Sequence, residues 1–229
     1  METSLHFPFP QPLNTMAFQT AKRDLRKRMR ETLQQMPTSL IGQQSGVATG
    51  KFLSLPEYQN ANSIAVYLSM PTGELSTSSI VKDAFARGKN VYIPYIHTVE
   101  KTSVMDMLAL ESMTEYESLQ PDKWGIPSLQ PAQVTGRRSG LTENGLDLIV
   151  MPGMAFDLGF RRLGHGKGYY DHFLTRYSQI SKKMPFLVAL SLQEQMVEEI
   201  PVMAHDWRVD ALVMGDGQYL DRQNELEKN

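Results

Sequence analysis

Two short apolar runs joined by one amphipathic segment set the fold class of this 229-residue chain. Ile64-Ala65-Val66-Tyr67-Leu68 is a continuous hydrophobic stretch bounded by Asn62 and Pro71, the pattern of a strand buried on both faces. Residues 77–87 follow with helical spacing through Ile80, Val81, Ala84 and Phe85, Gly88 closes them, and 91–96 is a second strand. Connections this short imply a parallel pair linked by a right-handed crossover, the unit of an open α/β sheet. The alternation resumes with strands over 146–150, 186–192 and 211–214 and a helix from 168 to 177 or beyond. With no internal repeat or low-complexity linker, the expectation is one three-layer α/β domain with a mostly parallel central sheet and helices on both faces.

The flanks are less regular. Leu25, Met29 and Leu33 recur every four residues, with Ala17 and Ala21 opening the same stripe, and predict a helix over 17–36 that Pro37 ends. Lys22, Arg26 and Arg30 share that spacing and line a neighbouring edge, which faces either solvent or a cleft. A second helix is expected over 39–54. Residues 98–144 read as irregular, apart from a short strand over 105–110 and a Trp124-Gly125-Ile126-Pro127 loop. The domain is therefore expected to span 17–229, behind a loose arm over 1–16.

Composition narrows the function classes. Zero cysteines exclude a disulfide framework, a thiolate metal site and a thiol nucleophile. Twenty-three Lys+Arg against 25 Asp+Glu leave a net charge of −2, so no general basic field draws the chain to nucleic acid. The most apolar stretch, 146–160, is interrupted by Asp147, Pro152, Gly153, Asp157 and Gly159 and cannot span a bilayer. No Lys or Arg precedes Lys22, unlike secretory or transit leaders. The expectations are a cytoplasmic address with a mitochondrial one left open, small-molecule partners, neither nucleic acid nor membrane, and a monomer.

The passage from Met151 to Asp171 carries the chemistry. Arg161, Arg162 and Lys167 are interleaved with Gly164, Gly166 and Gly168 immediately before a helix. A glycine-rich loop feeding a helix exposes backbone N–H groups to an anion, and guanidinium and ammonium groups add charge-assisted donors, so phosphate fits there. It is not a standard phosphate loop: His165 stands where Lys is required, and Lys167 is followed by Gly168. The dinucleotide fingerprint fails too, because Tyr169 takes the place of its third glycine.

Met151-Pro152-Gly153-Met154-Ala155-Phe156-Asp157, followed by Arg162-Leu163-Gly164-His165-Gly166-Lys167-Gly168-Tyr169-Tyr170-Asp171, resembles the signature of the 5-formyltetrahydrofolate cyclo-ligase (methenyltetrahydrofolate synthetase) family. The similarity extends to Lys22-Arg23-Asp24-Leu25-Arg26, to Leu68-Ser69-Met70 with Glu74, to the Trp124 loop and to 201–210. The resemblance implies magnesium- and ATP-dependent conversion of 5-formyltetrahydrofolate to 5,10-methenyltetrahydrofolate through an imidate phosphate, with ADP and phosphate released. It implies an ATP site at Lys22, Arg23, Asp24, Leu25 and Arg26 and at Arg162, Leu163, Gly164, His165, Gly166, Lys167, Gly168, Tyr169 and Tyr170. Arg162 and Lys167 would stabilise the transferring phosphoryl group, and Asp171 and Asp206 match the magnesium positions.

For the folate, the matching positions are Leu68, Glu74, Trp124, His165, Gly166, Lys167, Gly168 and Tyr169. Trp124 could equally be a core residue. Relatives of that family often carry a basic residue where this chain has Tyr95, which is left out of the site. Sugar-phosphate isomerases and CoA transferases share the expected architecture, so the alternatives are a sugar-phosphate enzyme or a non-catalytic folate or nucleotide binder.

Overall fold

The predicted runs form one seven-stranded sheet whose central residues alternate between two cores. The computed structural model describes residues 13–142 and 144–226. Helices α1 (Leu13–Gln34), α2 (Thr38–Leu53) and α3 (Pro56–Asn60) lead into strand β1 (Ser63–Val66). Helix α4 (Ser78–Ala86) crosses to β2 (Asn90–Val99), which turns into β3 (Thr102–Leu110). Helix α5 (Met113–Ser118) and a two-residue ribbon, β4 (Gln120–Pro121) with β5 (Pro127–Ser128), cover the middle segment. Then come β6 (Leu148–Met151), a second ribbon of β7 (Ala155–Phe156) and β8 (Arg162–Leu163), and α6 (Tyr169–Ile180). Strands β9 (Phe186–Ser191), β10 (Ala211–Met214) and β11 (Tyr219–Asp221) and helix α7 (Arg222–Leu226) complete the chain.

The sheet order is β11-β10-β9-β6-β1-β2-β3, with the five inner strands parallel and both edges antiparallel. Period-two geometry divides each inner strand. Ile64, Val66, Leu148, Val150, Val188 and Val213 join the core under α2 and α4, while Ala65, Ile149, Met151, Ala189 and Leu212 meet Phe173, Leu174 and Tyr177 of α6. This is the expected three-layer arrangement.

A third, smaller core fixes the site. Leu25 and Met29 of α1 pack on Met154, Ala155, Leu163 and Ile200, so α1 lies against the β7–β8 ribbon. The ribbon continues from β6, and buried Asp157 holds its loop by accepting N–H bonds from Gly159, Arg161 and Ile200. Asp147 staples the strand starts, its Oδ2 accepting from Asn62 N and Ser63 N at 2.8 and 2.9 Å.

Several expectations change. Residues 1–12 of the expected arm lie outside the described residues, and α1 begins at Leu13, four residues ahead of the expected start. Ala17 and Ala21 are exposed, so the apolar stripe starts only at Leu25. The strands expected over 91–96 and 105–110 run on through residues expected to be irregular and meet in a long β2–β3 hairpin. Its turn is Glu100-Lys101, both with positive φ (46° and 68°), a conformation normally signalled by Asn or Gly. Strand β11 was not expected; it is three residues long. Among the described residues, no helix is long and apolar enough to cross a membrane.

Candidate active site

Strand order reverses at β1, whose neighbours are β2 on one side and β6 on the other. Crossovers leave such a point in opposite directions, and the crevice between them lies beyond the carboxyl ends of the strands. A cavity of about 880 Å³ opens there, lined by Tyr67 and Leu68 after β1 and by Pro152 after β6. Its volume suits a small-molecule ligand of several rings.

The wall above β6 is cationic. Gly168 caps α6 with φ +66°, a backbone position that excludes most side chains at little cost to glycine, so the loop enters the helix with its first N–H groups open. Arg162, on β8, is nearly buried; it donates from Nη2 to Asp171 Oδ2 at 2.9 Å and lies over the Tyr170 ring at 5.6 Å. Its buried Nε has no partner. Lys167 is exposed on the loop and lines the same cavity.

Helix α1 closes this wall. Lys22 is buried and pairs with Asp206, Arg26 Nε donates to Gly164 O at 2.8 Å, and Arg30 lines the cavity. The basic edge therefore faces the protein, with Lys22 and Arg26 held by other segments and Arg30 reaching the cavity. Two of the cations are neutralised, Lys22 by Asp206 and Arg162 by Asp171. Arg26, Arg30 and Lys167 have no ion pair among the described residues. Three unneutralised cations beside a glycine loop at a helix N-terminus have the chemistry that a multiply charged anion calls for.

The remaining walls are apolar and aromatic. Glu74 is buried, with Oε2 accepting from Met70 N at 3.0 Å, and Tyr169, Tyr95 and Trp124 line the same space. Leu68, Gly164, His165 and Gly168 reach the cavity too. Trp124 is 54% exposed at its mouth, so it is not a core residue.

The family model described as the 5-formyltetrahydrofolate cyclo-ligase family matches residues 18–215. The chain belongs to this family. It is 38% identical over 197 residues to 5-formyltetrahydrofolate cyclo-ligase of Mus musculus, covering 86% of this chain and 95% of the relative. A probable 5-formyltetrahydrofolate cyclo-ligase of Schizosaccharomyces pombe is 34% identical over 201 residues, covering 84% and 94%. The NMR structure of Aquifex aeolicus 5,10-methenyltetrahydrofolate synthetase superimposes with a TM-score of 0.68 at 26% identity, covering 88% of this chain and 93% of that one. A family of ring-closing ligases is thus the setting in which the cavity is read.

Not every residue carried over from cyclo-ligase motifs meets in the cavity. Arg23 and Asp24 are exposed, paired with each other at 3.3 Å, and Leu25 is in the third core; these three do not line the cavity, and neither do Lys22, Arg26, Gly166 and Asp206, although Lys22 and Arg26 are tied to Asp206 and Gly164. Arg23, Asp24 and Leu25 are neighbours of Lys22 and Arg26 in sequence, but each helical residue turns about 100° from the last. Leu163 is likewise core, and its contribution is the backbone pairing with Ala155. Gly166, at φ +100°, passes beside the Arg26 guanidinium.

The two acids expected to hold magnesium are engaged otherwise. Asp171 gives one oxygen to Arg162 and the other to Trp207 N–H at 3.0 Å, so it positions Arg162. Asp206 Oδ2 takes Lys22 and Met203 N–H, and its Oδ1 stands 3.9 Å from His205 Nε2. Among the described residues, no group of three His, Asp or Glu could hold a metal ion unaided.

Four titratable groups that line the cavity are shifted, the Tyr67 and Tyr170 hydroxyls upward by burial among them. Burial pushes the Glu74 carboxyl up to about 7, against a lowering by the Met70 N–H. Desolvation, then the charges of Arg30, Arg162 and Arg26, hold His165 below the usual imidazole range. The lining residues that sequence reasoning passed over include Tyr67, Tyr95 and Lys123. Tyr95 was discounted for its chemistry, although its place at the mouth end of a strand beside β1 was the usable signal.

Proposed function

We propose that this cavity binds ATP beside 5-formyltetrahydrofolate and closes the folate to 5,10-methenyltetrahydrofolate, releasing ADP and phosphate. The observation that carries the reading is that two unneutralised cations, Arg30 and Lys167, and an aromatic, Glu74-floored space belong to one cavity, with Arg26 held on its glycine loop. Such a pairing suits a polyphosphate donor set against a fused-ring acceptor.

The chemical difficulty is the formyl oxygen, a poor leaving group. Transfer of the γ-phosphoryl group to it breaks the terminal phosphoanhydride bond, expels ADP and makes an imidate phosphate. The N10 lone pair then attacks the formyl carbon, the C–O bond breaks with its electron pair leaving on phosphate, and N10 loses its proton to the medium. Phosphoryl transfer asks a protein chiefly for positioning and charge neutralisation. Arg162, held by Asp171, and Lys167, free on the loop, are suited to the transferring group; Arg26 and Arg30 are suited to the phosphates behind it. Glu74 would accept hydrogen bonds from pterin N–H groups.

Magnesium favours one or two carboxylates completed by phosphate and water, and Asp206 Oδ1 offers one such oxygen beside Lys22. The ion would neutralise phosphate charge. Asp171 serves through Arg162.

The test mixes the protein with 5-formyltetrahydrofolate, magnesium and ATP and follows the ultraviolet absorbance of the methenyl product, with ATP omitted as control. Growth of the band only with ATP is expected. A folded protein that binds folate but gives no product would be a non-catalytic binder; silence with no folate binding would point to the sugar-phosphate class.

A further inference from the structure

The cavity carries a further cation on the Trp124 loop, away from α1 and the glycine loop in sequence. Lys123 Nζ stands 4.1 Å from the centroid of the Trp124 ring, and both residues line the cavity. The loop that presents them is fixed in advance. Asp122 Oδ1 accepts from Trp124 N and Ile126 N at 2.8 and 3.0 Å, while Asp122 N and O bond Ile126 O and Gly125 N. Gly125, at φ +78°, lies so close to Pro71 that a Cβ there would stand 2.8 Å from Pro71 Cγ. The loop is thereby seated on the turn that carries Glu74. Asp122 spends its carboxylate on backbone N–H groups, and Lys123 forms no ion pair among the described residues.

We infer that Lys123, backed by Trp124, is a specificity-determining residue that binds the carboxylates of the substrate's glutamate tail. The inference rests on the reading of this cavity as a folate site and extends it. A reduced folate has three chemically different parts: a ring rich in N–H donors, an aminobenzoyl ring and a dicarboxylate. The cavity offers matching groups from floor to mouth, with buried Glu74 as acceptor, the exposed Trp124 ring for aromatic contact and an ammonium for carboxylates. The cations on the phosphate wall belong to α1 and the loop before α6, so they leave Lys123 as the cation of the Trp124 loop.

The experiment measures KM and kcat for 5-formyltetrahydrofolate with one and with three glutamates, in the wild-type chain, Lys123→Ala and Lys123→Glu. Lys123→Ala is expected to raise the folate KM about 3- to 5-fold, as for loss of one exposed charge pair. Lys123→Glu should raise it further, most for the triglutamate, with kcat and the ATP KM unchanged. The dependence of the folate KM on salt should flatten in Lys123→Ala, because a screened attraction has been removed. An active wild type whose folate KM is the same in all three chains, for both substrates, overturns the role of Lys123. A fall in kcat without a change in KM overturns it as well. A wild type inactive with ATP and folate refutes instead the reading on which the inference rests.

Discussion

At the scale of single residues, exposure and neutralisation separate the groups that hold the fold from those that act on a ligand. Lys167 is exposed and has no ion pair among the described residues, so Lys167→Ala should leave the melting temperature unchanged while lowering kcat by about 100-fold or more. Glu74 is the reverse case, a buried acid whose carboxyl is raised to about 7. Its folded pKa lies above its unfolded value, so the native state holds the extra proton between about pH 4.5 and 7, and stability falls as pH rises through that window. Glu74→Gln should therefore stabilise the protein at pH 8, by on the order of 1–3 kcal/mol, and abolish that slope in urea titrations. The same change should weaken folate binding at pH 8, and in the wild type binding should weaken as pH falls below 7, where Glu74 ceases to be an anion. The glycine-loop residues were legible because charged groups interleaved with glycine have few uses other than anion binding. Arg23 and Asp24 are exposed while Lys22 is buried, a division that a contiguous motif does not reveal because it does not show which residues of a helix share a face.

Among the elements, the parallel strands were the most legible, since short apolar runs between helical repeats have few other readings. The hairpin of β2 and β3 was hidden by its own turn. Glu100 and Lys101 occupy left-handed conformations without the Asn-Gly pair that advertises them, so 98–101 resembled ordinary loop. Replacing the pair by Asn-Gly should relieve that strain and stabilise the protein by about 1–2 kcal/mol, read as a higher urea midpoint with unchanged slope. The hairpin also shapes the cavity, because Tyr95, Ile96, Ser103 and Met105 all line it. Arg176 on α6 ties it down through Asp106 Oδ1 at 2.9 Å, and His97 Nε2 lies 2.8 Å from the other oxygen. The wall facing the ligand is thereby linked to the helix that begins at the glycine loop.

For the molecule as a whole, the site is made of parts that the sequence keeps far apart. The layer order followed from alternation alone, but the docking of α1 on the β7–β8 ribbon did not, because a stripe of Leu25, Met29 and Leu33 does not name its partner. Ligands that bridge those parts should act as staples. ATP with magnesium at 100 times its dissociation constant should stabilise the protein by about 2.7 kcal/mol, seen as a rise in melting temperature. Arg26→Ala should reduce that rise at equal ATP concentration, since it removes a cation from the phosphate wall. The pairing of Lys22 with Asp206, 184 residues apart, also has a meaning in time. A ribosome adding roughly 5–20 residues per second needs on the order of 10–40 s to pass from one to the other. Until residues 155–163 have been made the apolar stripe of the first helix awaits the β7–β8 ribbon, and until Asp206 follows the cationic wall lacks its closing contact, so for most of that interval the stripe is bare hydrophobic surface on the nascent chain.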